Sequence, residues 1–288
     1  MISRSVLDSM DLHLDGHLAL GYNSPSQRAR VMTEDWAFRN VYCLRCGRQH
    51  LAQEKTNTPV HDFHCTPCSA HYQLKAQKHP FGQVVQNSGY RKKRNAIAAG
   101  TNPNYIFLRY DPDELAVTDM FAVPWHFVTL SVVSPRKALS RLARRSGWIG
   151  STIRIGALAP DAKVPVIVDR RTVAKETVLE DWARFRFLES RAAEGRRWLA
   201  DVLACIRRHE VSTKEPYLSN QSIYAFEDEL SELHPGNKHI RDKIRQQLQV
   251  LAAHSVVVRT GRNSYRVQHP SGWQQENLER FLARDSDQ

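Results

Sequence analysis

The sequence predicts two domains: a mixed α/β domain with an embedded four-cysteine metal site, and a smaller α+β domain of three helices closed by a β-hairpin. Three observations carry this. Helix-like and strand-like stretches are mixed over the first two thirds of the chain, four of the five cysteines fall into two Cys-x2-Cys pairs, and the last third reads helix, helix, helix, hairpin. A length of 288 residues favours two cores over one. The charged, glycine-punctuated LESRAAEGRR marks the boundary, giving domains of 1–190 and 191–288.

Composition narrows the partners. With 41% hydrophobic and 25% charged residues the chain is neither collagen-like nor wholly disordered. No stretch approaches the roughly 18–20 apolar residues of a membrane span. The N-terminal MISRSVLDSMDLHLDGHLAL is broken by acids where a signal peptide needs an apolar core, so a cytoplasmic monomer with no membrane partner is expected. A formal charge of +11 and a pI near 9.6 favour a polyanion, nucleic acid first, because neutralising phosphates releases condensed counterions.

Taken in order, SPSQRARVMTEDWAFRNVYC reads as a helix running into the first cysteine pair, with Ser24 or Ser26 as N-cap and Val31, Trp36 and Phe38 on its buried side. After the polar loop QHLAQEKTNTP, the segments PVHDFHC and HYQLKA are short strands spaced as a hairpin. SGYRKKRNAIAAG is a helix with a run of cations from Arg91 to Arg94, which either tracks a phosphate backbone or forms a solvated face. NPNYIFLRY is a strand and FAVPWHFVTLSVV a strand pair. The basic stretch ALSRLARRSGWIGSTI leads to the strand VPVIVD.

In the second domain RWLADVLACIRRH, SIYAFEDELSEL and NKHIRDKIRQQLQVLAAH are the three helices. Cys205, in the first, is a small buried apolar residue. In the third, Ile240, Ile244, Leu248 and Leu251 make one apolar stripe, with Arg241, Lys243, Arg245 and Gln246 largely off it. VVVRTGRNSYRV forms two strands about a GRN turn. This is the winged helix-turn-helix pattern, whose third helix is built to enter a major groove. The tail after Gly272 reads as a short helix packed on the wing.

Cys43, Cys46, Cys65 and Cys68 suit tetrahedral Zn2+: a two-residue gap lets a tight turn aim both sulfurs at one ion, and 18 residues separate the pairs. Four sulfurs leave no open position, so this zinc is structural. A second metal needs oxygen ligands. If 60–63 and 72–75 are paired strands, Asp62, the Gln73 side-chain carbonyl and the Leu74 backbone carbonyl can converge on Mg2+, and Lys75 projects from the same face as Gln73. A cation that activates water beside an ammonium is what phosphodiester hydrolysis requires. On spacing alone, a solvated hairpin face is the better reading.

SQRARVMTEDW, VYCLRCG, PVHDFHCTPC followed by LKAQK, NPNYIFL, FVT, ARRSGWIG and NKHIRDKIRQQLQVL add a resemblance. The chain resembles the PD-(D/E)xK nuclease superfamily and, within it, the DpnI-like methyl-directed (type IIM) restriction endonucleases, from about residue 24 to 267. The resemblance implies a Mg2+-dependent type II endonuclease. Its expected substrate is double-stranded DNA at adenine-methylated, GATC-like sites, with both domains contacting the DNA. Asp62 matches the motif's aspartate and Lys75 its lysine, whereas Gln73 stands where the motif has its second acid. Some superfamily members carry glutamine here; its carbonyl still serves a metal, at the cost of one negative charge. Glu34 either supplies that charge from the neighbouring helix or is an ordinary surface acid.

Trp148 lies in the glycine-flanked RRSGWIG and is, on sequence alone, as much a core tryptophan as a base-stacking one; the resemblance implies DNA contact, with Arg144 and Arg145 holding phosphates or guanine edges. Asn237 is read as the N-cap of the third helix. Lys238, His239, Arg241, Lys243, Arg245 and Gln246 are the groove and phosphate candidates, with Arg262 and Asn263 at the wing tip. The rival function, kept alive by Gln73, is a methyl-DNA-binding or regulatory protein with a degenerate nuclease fold that does not cleave.

Overall fold

The computed structural model describes residues 10–55 and 61–269. Residues 59 and 60 of the expected strand PVHDFHC, and the tail after Gly272, lie outside them. In chain order the first elements are α1 (Pro25–Asn40), β1 (Ala52–Gln53), β2 (Phe63–His64), β3 (His71–Gln77), β4 (Val85–Gly89), α2 (Tyr90–Ala99), β5 (Asn104–Asp111) and β6 (Ala116–Val123). Next come β7 (Val133–Pro135), β8 (Gly150–Ile153), β9 (Val164–Val168), β10 (Arg171–Thr172) and α3 (Lys175–Ala183). The remainder is α4 (Ala193–Thr213), β11 (Tyr217–Ser219), α5 (Asn220–Tyr224), α6 (Glu227–Leu233), α7 (Ile240–Ala253), β12 (Val257–Gly261) and β13 (Ser264–Val267).

These elements form two compact units interleaved along the sequence. One takes the stretches up to Gly82, Thr101–Trp125 and Ala162–Arg186; the other takes Gln83–Gly100, His126–Asp161 and the chain from Phe187 onward.

The first unit is a seven-stranded sheet of order β1-β2-β3-β5-β6-β9-β10, antiparallel except that β3 runs parallel to β5 with Gln73 opposite Tyr105 and Lys75 opposite Phe107. Strand alternation sorts β3. Tyr72, Leu74 and Ala76 join the core with Ile106, Leu108 and the α1 residues Met32, Trp36 and Ala37, which leaves Gln73 and Lys75 on the opposite face. Trp36 anchors α1, its indole N–H donating to the Asp11 carbonyl at 2.7 Å. Phe38, expected on the buried side, is exposed: it lies about 200° round the helix from Trp36, outside the stripe of Met32, Thr33, Trp36 and Ala37. The FAVPWHFVTLSVV strand pair is also corrected. Pro124 cannot donate to a ladder, so β6 stops at Val123, a turn of 3-10 helix covers Trp125–Phe127, and β7 belongs to a different sheet.

The second unit holds the sheet β4-β8-β7, the helices α2 and α4–α7, and the sheet β11-β13-β12. In α2, Arg91, Lys92 and Arg94 are exposed and Lys93 is fully buried, so the cation run is not one solvated face. SIYAFEDELSEL divides into α5 and α6, the first opened by a capping box between Ser219 and Ser222. Helix α7 buries Ile240, Ile244, Leu248 and Leu251, and β12 and β13 form the wing as the GRN turn predicts. Its N-cap is His239 and not Asn237, because the Asn237 carboxamide accepts the His239 N–H at 2.7 Å and so closes an Asx turn one step earlier.

Arg207 of α4 and Asp161 form a buried ion pair through two bonds of 2.6 Å, and Glu210 accepts from the same guanidinium at 2.9 Å. Removing Asp161 takes away both 2.6 Å bonds and leaves the buried Arg207 guanidinium with Glu210 as its counter-charge. Asp161→Ala should therefore destabilise the protein by about 3–5 kcal/mol, and the paired replacement Asp161→Leu with Arg207→Met by much less, as read by urea unfolding.

Candidate active site and metal centre

Two matched turns build the cysteine cluster. In the first, the Cys43 N–H donates to the Arg48 carbonyl and the Gly47 N–H to the Cys43 carbonyl, both at 2.7 Å. In the second, the Cys65 N–H donates to the Ala70 carbonyl and the Ser69 N–H to the Cys65 carbonyl, both at 2.8 Å. The fifth residue of each turn is left-handed, Gly47 at φ 76° and Ser69 at φ 56°. The sulfurs of Cys43 and Cys68 stand 3.5 Å apart and those of Cys46 and Cys65 3.6 Å, and all four lie within 4.8 Å of one another. That is near the roughly 3.8 Å edge of a tetrahedron with Zn–S bonds of about 2.3 Å, and far from a disulfide at about 2.05 Å.

The donor set fits zinc electrically as well. Burial pushes the Cys43 thiol up, so a buried cation is what keeps it a thiolate. Burial also opposes ionisation at Cys68, but the Ala70 amide and the neighbouring sulfhydryls bring it down to about 7. Tyr72, fully buried, reaches into the cluster: its hydroxyl lies 3.2 Å from the Cys43 sulfur and accepts the Arg45 N–H at 3.3 Å.

Directly beyond this turn the hairpin presents its polar face. Asp62 lies where β2 leaves the sheet; its N–H donates to the Tyr72 carbonyl at 2.8 Å, and its carboxylate accepts the Leu74 N–H at 2.8 Å. The carboxylate thus stands in for the next backbone acceptor. Since the amide and carbonyl of one strand residue point to the same edge, the Leu74 carbonyl shares that edge with Asp62. Gln73 is only 9% exposed, and its side-chain oxygen is buried without a hydrogen-bond partner. Of the predicted set, Asp62 is joined to Leu74 by its carboxylate's bond and its charge acts on Lys75, while Gln73 lies on the same face of β3 as Lys75.

Charges here are held against their solvation. Burial raises the Asp62 carboxyl above its ordinary range in spite of the Leu74 N–H and the Lys75 and His61 charges. It likewise lowers the Lys75 ammonium, which Asp62 partly restores. Glu34 of α1 is raised by burial and further by Asp62, while Arg30, 2.8 Å away, pulls it back. Sequence reasoning missed Arg30, whose signal was its i,i+4 spacing to Glu34.

The nucleic-acid candidates lie in the second unit. Trp148, 36% exposed, lies against Gly89 and Gly150, where an added Cβ would meet its ring at 3.3 and 2.9 Å. The loop around it is closed by the Leu139 N–H donating to the Trp148 carbonyl at 2.9 Å, and Arg144 and Arg145 are exposed on it. On α7, Lys238, His239, Arg241, Arg245 and Gln246 are exposed and Lys243 is half-buried. The acids beside them were not foreseen: Glu227 holds Arg241 at 2.7 Å, and Asp242 pairs with Arg245. Lys243 donates to Gln246 at 2.9 Å. At the wing, Arg262 is exposed, whereas Asn263 is tied to Asn220 by two contacts of 3.0 and 3.2 Å.

A helix of this kind with a wing behind it is the shape that enters a major groove, so the chain is in the first place a DNA-binding protein. Its family is narrower. Residues 10–191 match the family model of DpnI, the Dam-replacing family, and residues 194–267 match the Dam-replacing HTH domain. The chain belongs to the DpnI family, and membership implies a restriction endonuclease whose cleavage of DNA depends on methylation. Among the described residues no helix is long and apolar enough to cross a membrane.

Two outcomes follow for stability. Ser69→Gly relieves a side chain in the left-handed region and should stabilise the protein by about 1 kcal/mol, measured by thermal unfolding of the metal-loaded protein. Raised as it is, Asp62 costs stability once pH climbs from the ordinary aspartate value of 3.8 through its folded value. Asp62→Asn should accordingly unfold at a higher temperature than the parent at pH 7 without divalent ions, and the difference should close as pH falls to 3.8.

Proposed function

We propose that the protein is a Mg2+-dependent type II endonuclease that cleaves double-stranded DNA at adenine-methylated, GATC-like sites, with a PD-(D/E)xK active site formed by Asp62, Gln73 and Lys75. The observation that supports the metal site is the buried, partnerless side-chain oxygen of Gln73, one residue from the Leu74 amide that holds a carboxylate raised by burial. An orphaned buried acceptor costs about 1–3 kcal/mol, and a cation satisfies it together with Asp62 and the Leu74 carbonyl.

Asp62, the Gln73 side-chain oxygen and the Leu74 carbonyl would hold the ion, which would supply Lewis acidity toward the scissile phosphate and an acidified water. The remaining work belongs to the chain. Asp62 is oriented by the Leu74 N–H, which would leave its other carboxylate oxygen as a ligand for the ion. Lys75, on the face of Gln73, offers an ammonium to the phosphate oxygens or to the attacking water, and its partial burial strengthens that interaction. Glu34 adds a negative charge from α1 that Gln73 does not bring. Zn2+ held by Cys43, Cys46, Cys65 and Cys68 fixes the hairpin and takes no part in the chemistry.

For DNA, Trp148 stacks on bases while Arg144 and Arg145 hold the backbone. Lys238, His239, Arg241, Lys243, Arg245 and Gln246 serve the major groove and its phosphates, where Arg reads guanine and Gln reads adenine. Asn237, closing its turn, positions the start of the helix.

Matched plasmids prepared with and without adenine methylation, incubated with the protein and Mg2+, test the reading. Only the methylated plasmid should be fragmented, and Asp62→Ala and Lys75→Ala should each remove at least about 1000-fold of the rate, the scale on which electrostatic groups of an active site act. Gln73→Glu should retain cleavage or raise it. A pure preparation that binds methylated DNA without cutting it, in Mg2+ or Mn2+, would establish the non-cleaving reader instead.

A further inference from the structure

A second group of metal-ligating side chains sits on the polar face of the same sheet edge. The ladders place it there: Ala52 is opposite His64 and His64 opposite His71, so both imidazoles emerge on one face. Glu54, two residues past Ala52, emerges with them, and its N–H donates to the Asp62 carbonyl at 2.9 Å. One oxygen of Glu54 then has three imidazoles around it, His64 Nδ1 at 2.8 Å, His61 Nε2 at 3.6 Å and His71 Nδ1 at 3.9 Å. The rings of His61 and His71 are 4.3 Å apart between centroids.

None of these groups serves the cysteine cluster or the phosphodiester chemistry. The His64 Nδ1 is the nearest of the three to the Glu54 oxygen and is buried without a hydrogen-bond partner. The other two imidazoles, aimed at the same oxygen from longer range, are placed for a shared Lewis acid.

We propose that Glu54, His61 and His71 form a second metal site, for a divalent transition ion of the zinc, nickel or copper kind, with His64 orienting the carboxylate. Their ligand atoms lie within 4.8 Å of one another. Tetrahedral N and O ligands at about 2.0–2.1 Å stand about 3.4 Å apart, so the separations of 3.6 and 3.9 Å from Glu54 need to close by only a few tenths of an ångström. Imidazole selects these ions and not Mg2+, which keeps the site chemically distinct from that of Asp62. Three protein ligands leave a position for water, and the ion cross-links the ends of β1, β2 and β3.

The test uses the full chain with its cysteine site loaded with zinc, and Ni2+ and Co2+ as probes. Calorimetric titration should show one Ni2+ bound in the micromolar range or tighter, and Ni2+ should raise the unfolding temperature. His61→Ala with His71→Ala should abolish both effects while leaving one sulfur-bound zinc, and His64→Ala should weaken binding by about 10–100-fold. His13→Ala with His17→Ala, exposed imidazoles elsewhere, should change neither. Co2+ added to the zinc-loaded protein should give visible bands without a sulfur-to-cobalt charge-transfer band. The site is refuted if no ion binds beyond the cysteine one, if the double variant at 61 and 71 binds Ni2+ as the parent does, or if the added Co2+ shows sulfur ligation. None of these readouts requires DNA cleavage.

Discussion

The register of one short hairpin decides what the first unit can do. Only two residue pairs join β2 to β3, Phe63 with Tyr72 and His64 with His71, which is far too little ladder to hold a register unaided. β3 itself is held by its ladder to β5, so a slip of one residue would fall on β2, turning Phe63 out of the core and carrying Asp62 away from the Leu74 N–H. The slip is prevented at the turn. Cys65 and Ser69 close the second knuckle, and two of its sulfurs are tied across space to the first knuckle at the foot of α1. Tyr72 extends the lock, with its ring in the core, its hydroxyl on the cluster and its carbonyl on the Asp62 N–H. The cysteine cluster thus reaches, through Tyr72, the residue next to Gln73 on the polar face without contributing an atom to that face.

That face is assembled against local stability. Asp62 and Glu34 are both raised by burial, and Lys75 is lowered by it. Ordinary surface charges at the end of a small sheet would be solvated. Holding them partly dry makes each interact more strongly with whatever charge arrives, because the effective dielectric is lower. The apolar half of the unit offsets this: Trp36, Tyr72, Ile106, Leu108 and Trp182 are essentially inaccessible to solvent.

Much of this could be read from the residues, and the failures have particular causes. The two Cys-x2-Cys pairs, the hairpin strands and the stripe of α7 were legible because ligand spacing and periodicity are local properties. Phe38 was misassigned because hydrophobicity alone does not fix helical phase, and Asn237 because an Asx turn and an N-cap use the same side chain. The strand pair after Phe121 failed at Pro124, where the chain leaves one sheet for another. Nothing local marks Glu227 or Asp242 as partners of Arg241 and Arg245, and nothing in the spacing of Glu54, His61 and His71 shows that three strands bring them together. The orphaned oxygen of Gln73 is likewise a property of the fold, since it depends on what Asp62, Leu74 and β5 leave around it.

Glutamine at position 73 then has a physical rationale. Burial already opposes ionisation of both Asp62 and Glu34, and the Asp62 charge makes Glu34 harder still to ionise. A third acid in a side chain only 9% exposed would meet both desolvation and repulsion, which raise a carboxyl when no cation is bound. A glutamine keeps a side-chain oxygen at this position without that penalty, and under the proposed function Glu34 of α1 would bring the charge that the strand lacks. A neutral side chain at position 73 adds no further charge to be held out of water in the folded protein. Glu34 is more than a packing residue of α1, because its ionisation responds to the charge of Asp62.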